Sequence, residues 1–145
     1  MIFVAVCGTE DETQAFGFSV GQRIQRPVII TLQGTLGAGK TAFVRGLAAG
    51  LGFAGNVSSP TFAIVNEYTG GRFKVLHFDL YRLQTQEDLW GIGFDDYLDQ
   101  SAVMVLEWPL IALALLPKER VNITIDICGE STRKFTVVDD FSQLV

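Results

Sequence analysis

Residues 34–41 read Gly-Thr-Leu-Gly-Ala-Gly-Lys-Thr, a complete match to the pattern G-x-x-x-x-G-K-[ST]. A short β-branched run, residues 28–32, precedes this stretch, and residues 42–51 follow it with apolar side chains at helical spacing. Between a strand and a helix, such a loop binds phosphate, because its backbone N–H groups curl around the anion at the positive end of the helix. The stretch therefore predicts a nucleoside-phosphate site within an α/β fold.

The individual residues of this loop have separate predicted roles. Gly34, Gly37 and Gly39 allow backbone conformations that are closed to residues with a Cβ. Lys40 is predicted to reach the β- and γ-phosphates, and the hydroxyl of Thr41 to bind Mg²⁺.

The composition narrows the class of protein. The chain has 145 residues and a formal net charge of −5, with scattered basic residues, which argues against broad nucleic-acid binding by this chain alone. Cys7 and Cys128 have no metal-binding or redox spacing. The amino terminus lacks the features of a signal peptide, and Glu107 and Pro109 interrupt the apolar region 102–116. We expect one soluble, cytoplasmic domain over residues 1–145, without a membrane segment, that reaches any nucleic acid through a partner.

The order of elements predicts a mixed β-sheet flanked by helices. Strands are expected at residues 2–6, 28–32, 62–68, 72–81, 102–107, 121–127 and 134–138. Helical segments are expected at residues 42–51, 86–90, 95–98 and 110–116. A first helix is expected to run from a capping box at Thr9 to about Ile24, weakened by Gly17 and Gly21. Its inward positions are predicted to be Ala15, Phe16, Val20 and Ile24.

Two apolar strands run into a carboxylate, at Asp79 and at Glu107. A phosphate loop needs a second acidic ligand that holds Mg²⁺ or its waters, usually at such a strand end. One carboxylate is expected to orient metal-bound water and the other to activate the attacking water, and the residues alone leave open which does which. Thr61 lies in a polar loop where nucleotide-sensing segments occur, although it could equally begin a strand.

Four other side chains have two possible interpretations. His77, the one histidine, is interpreted as a packing residue inside an apolar strand. Trp108 could lie against the nucleotide or in the core. Arg82 and Arg133 could neutralise phosphate charge, or be ordinary exposed arginines.

With these segments in place, the chain closely resembles the bacterial TsaE (YjeE-type) ATPases of tRNA threonylcarbamoyladenosine biosynthesis. The resemblance covers about residues 9–138, and it rests on residues 36–41 (Leu-Gly-Ala-Gly-Lys-Thr), 43–46 (Phe-Val-Arg-Gly), 59–61 (Ser-Pro-Thr), 77–82 (His-Phe-Asp-Leu-Tyr-Arg), 93–97 (Gly-Phe-Asp-Asp-Tyr) and 107–109 (Glu-Trp-Pro). The His-Phe-Asp-Leu-Tyr-Arg and Glu-Trp-Pro motifs are much more particular than the phosphate loop.

The resemblance implies a small ATPase with ATP and Mg²⁺ as cofactors, working with TsaD and TsaB subunits on adenosine 37 of tRNA. It implies that phosphates are held by Gly37, Ala38, Gly39, Lys40, Thr41 and Ala42. It also implies that Thr41 and Glu107 coordinate Mg²⁺, that Asp79 is the catalytic carboxylate and that Thr61 belongs to a switch segment. Nucleotide contacts from Trp108, Arg133 and Glu10 are implied as well.

Three other classes of phosphate-loop protein are alternatives to a TsaE-like ATPase. A GTPase is disfavoured because the guanine-reading sequence Asn-Lys-x-Asp is absent from the chain. A small-molecule kinase would need an acceptor pocket and usually an arginine-bearing lid, for which few residues remain. A non-hydrolysing ATP-binding adaptor is the harder alternative to exclude.

Overall fold

The computed structural model describes residues 1–144, and its centre is a seven-stranded sheet. In chain order, the strands are Ile2–Cys7 (β1), Ile29–Gln33 (β2), Val65–Tyr68 (β3), Val75–Asp79 (β4), Val103–Glu107 (β5), Val121–Ile127 (β6) and Arg133–Val138 (β7). The helices are Glu10–Arg23 (α1), Lys40–Gly50 (α2), Gln86–Gly91 (α3) and Phe94–Leu98 (α4), with a 3₁₀ helix at Leu110–Leu115.

The order of strands across the sheet is β1-β7-β6-β2-β5-β4-β3. Strand β2 runs parallel to both β5 and β6, and β5 runs parallel to β4, whereas the remaining pairs are antiparallel. The predicted mixed sheet is thus confirmed. Because β2, β4 and β5 are parallel, the ends of all three lie at the same edge, where ligands bind in open α/β sheets.

Helices cover both faces of the sheet. Helices α1 and α2 pack on one face, where Val20, Phe43 and Leu47 belong to the larger core cluster. Helices α3 and α4 and the 3₁₀ helix pack on the other face, with Leu89, Phe94 and Ala112 in the second cluster. None of the helices in residues 1–144 combines the length and the apolar character needed to cross a membrane.

The packing of α1 corrects the expected inward position of Ala15 and gives Gly17 and Gly21 a packing role. Ala15 is exposed, and Gly17 and Gly21 lie on the buried side of the helix. A Cβ at Gly17 would lie 2.2 Å from the carbonyl oxygen of Phe43, and one at Gly21 would lie 2.3 Å from that of Leu47. The two glycines lower the helix propensity of α1, but without side chains they allow the backbones of α1 and α2 to come into contact.

The strand expected at residues 62–68 begins only at Val65. Ile64 has a φ of 71°, outside the range of a strand. Its backbone N–H donates a hydrogen bond to the Pro60 carbonyl, and its own carbonyl accepts one from the N–H of Asp79. The strand expected at residues 72–81 is likewise shorter, but it ends at Asp79. Residues 58–64 therefore form a loop beside that carboxylate.

Candidate nucleotide site

The phosphate loop connects the middle strand, β2, to α2. Gly37 and Gly39 have φ angles of 80° and 94°, in the left-handed region where glycine is favoured. Gly39 is also the cap residue of α2, and it has no side chain that could occupy the first N–H groups of the helix. These N–H groups are therefore available to an anion.

The loop opens into a cavity of about 450 Å³. The structure brings into its lining all the residues that the resemblance assigns to the site: Glu10, Gly37, Ala38, Gly39, Lys40, Thr41, Ala42, Thr61, Asp79, Glu107, Trp108 and Arg133. Six lining residues were given no site role from the sequence: Thr13, Leu36, Arg45, Ser59, Glu130 and Ser131. These six reach the cavity from α1, α2 and three loops. Leu36, Arg45 and Ser59 lie inside motifs of the resemblance, whereas no local pattern marks Thr13, Glu130 and Ser131.

The two carboxylates lie side by side at the floor of the cavity. In the sheet register, Glu107 pairs with Asp79 on one side and with Leu32 on the other, so both acids lie next to the strand that leads into the phosphate loop. Asp79 and Glu107 are only 5% and 3% exposed. Both of these carboxylates are therefore shielded from bulk water, which strengthens their interaction with a cation.

Asp79 is held by two donors. The hydroxyl of Thr61 donates to Oδ2 at 3.0 Å, and the backbone N–H of Tyr81 donates to Oδ1 at 3.0 Å. The hydroxyls of Thr61 and Ser59 are also 2.7 Å apart. The loop that carries Thr61 is thus connected directly to the carboxylate at the end of β4.

Lys40 is the buried cation of the site, 7% exposed. Its Nζ donates to the carbonyl of Gly34 at 2.7 Å and lies 4.0 Å from the ring centroid of Trp108, a cation–π distance. Burial lowers the pKa of Lys40 below its ordinary value, while the negative charges of Glu107 and Asp79 oppose that shift. A polyanion in the cavity would favour the charged ammonium.

Trp108 has a φ of 54°, a left-handed conformation directly after β5. Its ring lies 4.9 Å from that of Tyr81 as well as beneath Lys40. The structure thus places Trp108 in the cavity wall, whereas Arg82 stacks over Phe62 and is not among the lining residues.

Arg133 joins the turn between β6 and β7 to the phosphate loop. Its guanidinium donates to the carbonyls of Gly129, Glu130 and Thr132 and, at 3.0 Å, to that of Gly37. Ser131 in the same turn donates to the carbonyl of Gly8 at 2.6 Å. This turn closes the cavity between the phosphate loop and the start of α1.

His77 is fully buried, as a packing residue would be, but it also has polar partners that the sequence interpretation missed. Its Nε2 lies 2.5 Å from Oε2 of Glu107, and its Nδ1 lies 3.0 Å from the hydroxyl of Tyr68. A signal was present in the sequence: His77 precedes Asp79 by two residues, so both side chains share one face of β4.

This set of donors fits a nucleoside triphosphate with Mg²⁺. Glycine N–H groups and an ammonium suit phosphate oxygens, and one hydroxyl with two carboxylates suits a hard cation. Within residues 1–144, no three His, Cys, Asp or Glu side chains come together as a metal cage. Mg²⁺ in nucleotide sites is commonly held by one or two carboxylates together with substrate phosphates.

Comparison with known proteins agrees with the family resemblance of the sequence. The family described as threonylcarbamoyl adenosine biosynthesis protein TsaE matches residues 7–135. The chain is 36% identical over 132 residues to the tRNA threonylcarbamoyladenosine biosynthesis protein TsaE of Treponema pallidum, covering 91% of this chain and 97% of that protein. It is 36% identical over 126 residues to the protein of that name from Bacillus subtilis, covering 87% and 78%. It also resembles the crystal structure of Bacillus subtilis YdiB, with a TM-score of 0.83 and 30% identity over 99% of this chain and 89% of that one.

Proposed function

Because this chain belongs to the TsaE family of threonylcarbamoyl adenosine biosynthesis proteins, we propose that it binds MgATP in the cavity and hydrolyses it as a component of the tRNA threonylcarbamoyladenosine machinery. Its proposed protein partners are TsaD-like and TsaB-like subunits in the cytoplasm, and tRNA is reached through that complex. The net charge of −5 supports an indirect contact with tRNA.

One observation carries the proposal. The free N–H groups of α2, the ammonium of Lys40 and two buried carboxylates all face one cavity at the ends of parallel strands. Positioning and electrostatic stabilisation are most of what phosphoryl transfer requires from a protein.

The residues divide the work by their chemistry. The N–H groups of residues 37–42 would hold the phosphates, and Lys40 would exchange the Gly34 carbonyl for phosphate oxygens. Thr41 and Glu107 would hold Mg²⁺, which when bound would supply positive charge that offsets the negative charge of the phosphates. Glu10, Trp108 and Arg133 also line the cavity and would make further contacts with the nucleotide.

Asp79 is the proposed acceptor of the proton from the attacking water. In this structure one of its oxygens accepts from Thr61 and the other from the backbone of Tyr81. If Thr61 turns towards the nucleotide, Oδ2 becomes available to a water molecule while Tyr81 still holds Oδ1. The Thr61 loop would thus act as a switch that exposes the base when nucleotide is present.

Replacing Lys40 tests the phosphate site. We expect Lys40→Ala to bring MgATP binding close to zero in calorimetry, because each lost charge-assisted hydrogen bond contributes about 1.5–3 kcal/mol. The exposed Lys118 provides a matched control, and Lys118→Ala should bind as the wild type does. An unchanged affinity in Lys40→Ala would rule out the proposed site. Phosphate release by the wild type with its partners separates hydrolysis from the alternative of a non-hydrolysing adaptor.

A further inference from the structure

A line of polar contacts connects the Thr61 loop to Glu107 through the interior. The hydroxyl oxygen of Tyr68 lies 3.1 Å from the carbonyl oxygen of Ser58 and 3.0 Å from Nδ1 of His77. Nε2 of His77 lies 2.5 Å from Oε2 of Glu107. The loop that holds Asp79 through Thr61 is therefore connected to the second carboxylate as well, by a separate route.

The sheet explains why these three side chains meet. Asn66 pairs with His77, and His77 pairs with Val105, so Tyr68 and Glu107 are diagonal neighbours of His77 on the face that α2 covers. Tyr68 and His77 are 5% and 0% exposed, so water does not compete for these contacts.

The direction of the hydrogen bond between His77 and Glu107 is fixed, whereas the hydroxyl of Tyr68 has two possible acceptors. The Glu107 carboxylate can only accept, so Nε2 of His77 donates to it. The single hydroxyl hydrogen of Tyr68 faces two acceptors, Nδ1 of His77 and the carbonyl of Ser58. The Ser58 carbonyl also accepts from the amide of Asn66 at 3.1 Å. The position of Ser58 therefore changes how firmly Tyr68 holds the imidazole ring.

We propose that Tyr68 and His77 are positioning residues that link the position of the Ser58–Thr61 loop to the orientation of the Glu107 carboxylate. His77 holds one oxygen of Glu107, which leaves the other for the metal site. This inference rests on the proposed MgATP function and deepens it, because one loop then acts on both acidic residues. Ligand-orienting contacts of this kind typically contribute about 10–100-fold to metal affinity.

Two substitutions at His77 distinguish the contact made by Nε2 from the contact made by Nδ1. The amide nitrogen of Gln can replace Nε2, whereas the shorter Asn side chain reaches only the Nδ1 position. We expect His77→Asn to raise the Mg²⁺ concentration that half-saturates ATP binding by about 10-fold or more, and His77→Gln to stay within about 3-fold of the wild type. ATP binding in EDTA, measured by the same calorimetry, should be equal in all three proteins.

Tyr68→Phe removes only a hydroxyl, and it decides the question even if His77→Asn fails to fold. It should raise the half-saturating Mg²⁺ concentration in the wild-type background and add nothing in the His77→Asn background. Tyr97→Phe, on the opposite face of the sheet, is the matched control.

An unchanged Mg²⁺ requirement in both Tyr68→Phe and His77→Asn would overturn the inference. So would equal losses in both His77 variants with weaker ATP binding in EDTA, which indicate a packing role. A wild-type protein that binds no ATP at any Mg²⁺ concentration would instead overturn the proposed function and this inference with it.

Discussion

At the level of single residues, Lys40 is a buried cation that an anion in the cavity would stabilise. The ammonium is buried between Trp108 and the carbonyl of Gly34, and this burial lowers its pKa. The charged form of Lys40 is therefore less favourable in the folded protein than in the unfolded chain. A bound polyphosphate would remove that penalty. Functional sites often carry such a cost, because a group that is ideal for a ligand is poorly satisfied without it.

This cost predicts a pH dependence of stability. Because the pKa of Lys40 in the folded protein lies below its ordinary value of 10.5, the unfolded chain binds more protons between those two values. The stability of the wild type relative to Lys40→Met should therefore increase as the pH rises through that interval and be constant below it. Chemical unfolding of both proteins from about pH 8 to about pH 10.5 measures the difference, in which all shared groups cancel. A relative stability that falls with pH would contradict the assignment.

At the level of elements, the contact between α1 and α2 positions the phosphate loop. Gly17 and Gly21 of α1 meet α2, and Gly46 and Gly50 of α2 meet α1, each pair at a spacing of four residues. A Cβ at Gly46 would lie 2.0 Å from the carbonyl oxygen of Gln14. Since α2 begins at Lys40, its position determines where the phosphate-binding N–H groups point.

Replacing Gly46 tests this contact. We expect Gly46→Ala to reduce the free energy of unfolding by about 1–3 kcal/mol, because the backbones of two helices have to move apart. Gly91, in α3, has nothing within 4 Å of its Cβ position, and Gly91→Ala should be neutral or stabilising by about 0.4–1 kcal/mol. Urea unfolding compares the two, and MgATP binding should weaken only in Gly46→Ala. Equal stability of both variants would show that the close approach is unimportant.

At the level of the whole molecule, the cavity has cations that are already engaged. Of the described lining residues, Arg45 lies 3.6 Å from Glu10, and the guanidinium of Arg133 donates to four backbone carbonyls. Lys40 begins α2, beside the N–H groups proposed to hold the phosphates, and is the lining cation assigned to them. Efficient phosphoryl transfer often requires a further arginine, which a second protein can supply.

We therefore predict that ATP hydrolysis by this chain is slow alone and faster with the proposed TsaD-like and TsaB-like partners. Where an arginine is supplied in trans, the increase reaches about 10³–10⁵-fold. Phosphate release measured with and without the partners gives the ratio, and Lys40→Ala with the partners gives the background. Equal turnover with and without the partners would remove the argument for a missing cation.

Local signals predicted much of this structure. The predicted capping box at Thr9 begins α1, where the backbone N–H of Glu12 donates to the Thr9 hydroxyl. The hairpin of β6 and β7 and the ends of β4 and β5 at carboxylates were also predictable, because alternation and turn residues act over a few positions. Prediction failed at Ile64, whose positive φ depends on bonds to Pro60 and Asp79 across a loop.

The sequence by itself determined the phosphate loop and the two strands that end in Asp79 and Glu107, because each depends on spacing within a short segment. It also determined membership of the family, because several such short motifs occur in order along the chain. Only the tertiary structure decided that β2 lies between β5 and β6, and that β4 lies beside β5. That order brings both acids, Lys40 and His77 together. The physical reason is that strand pairing joins segments far apart in the chain, and no local pattern records which of them become neighbours.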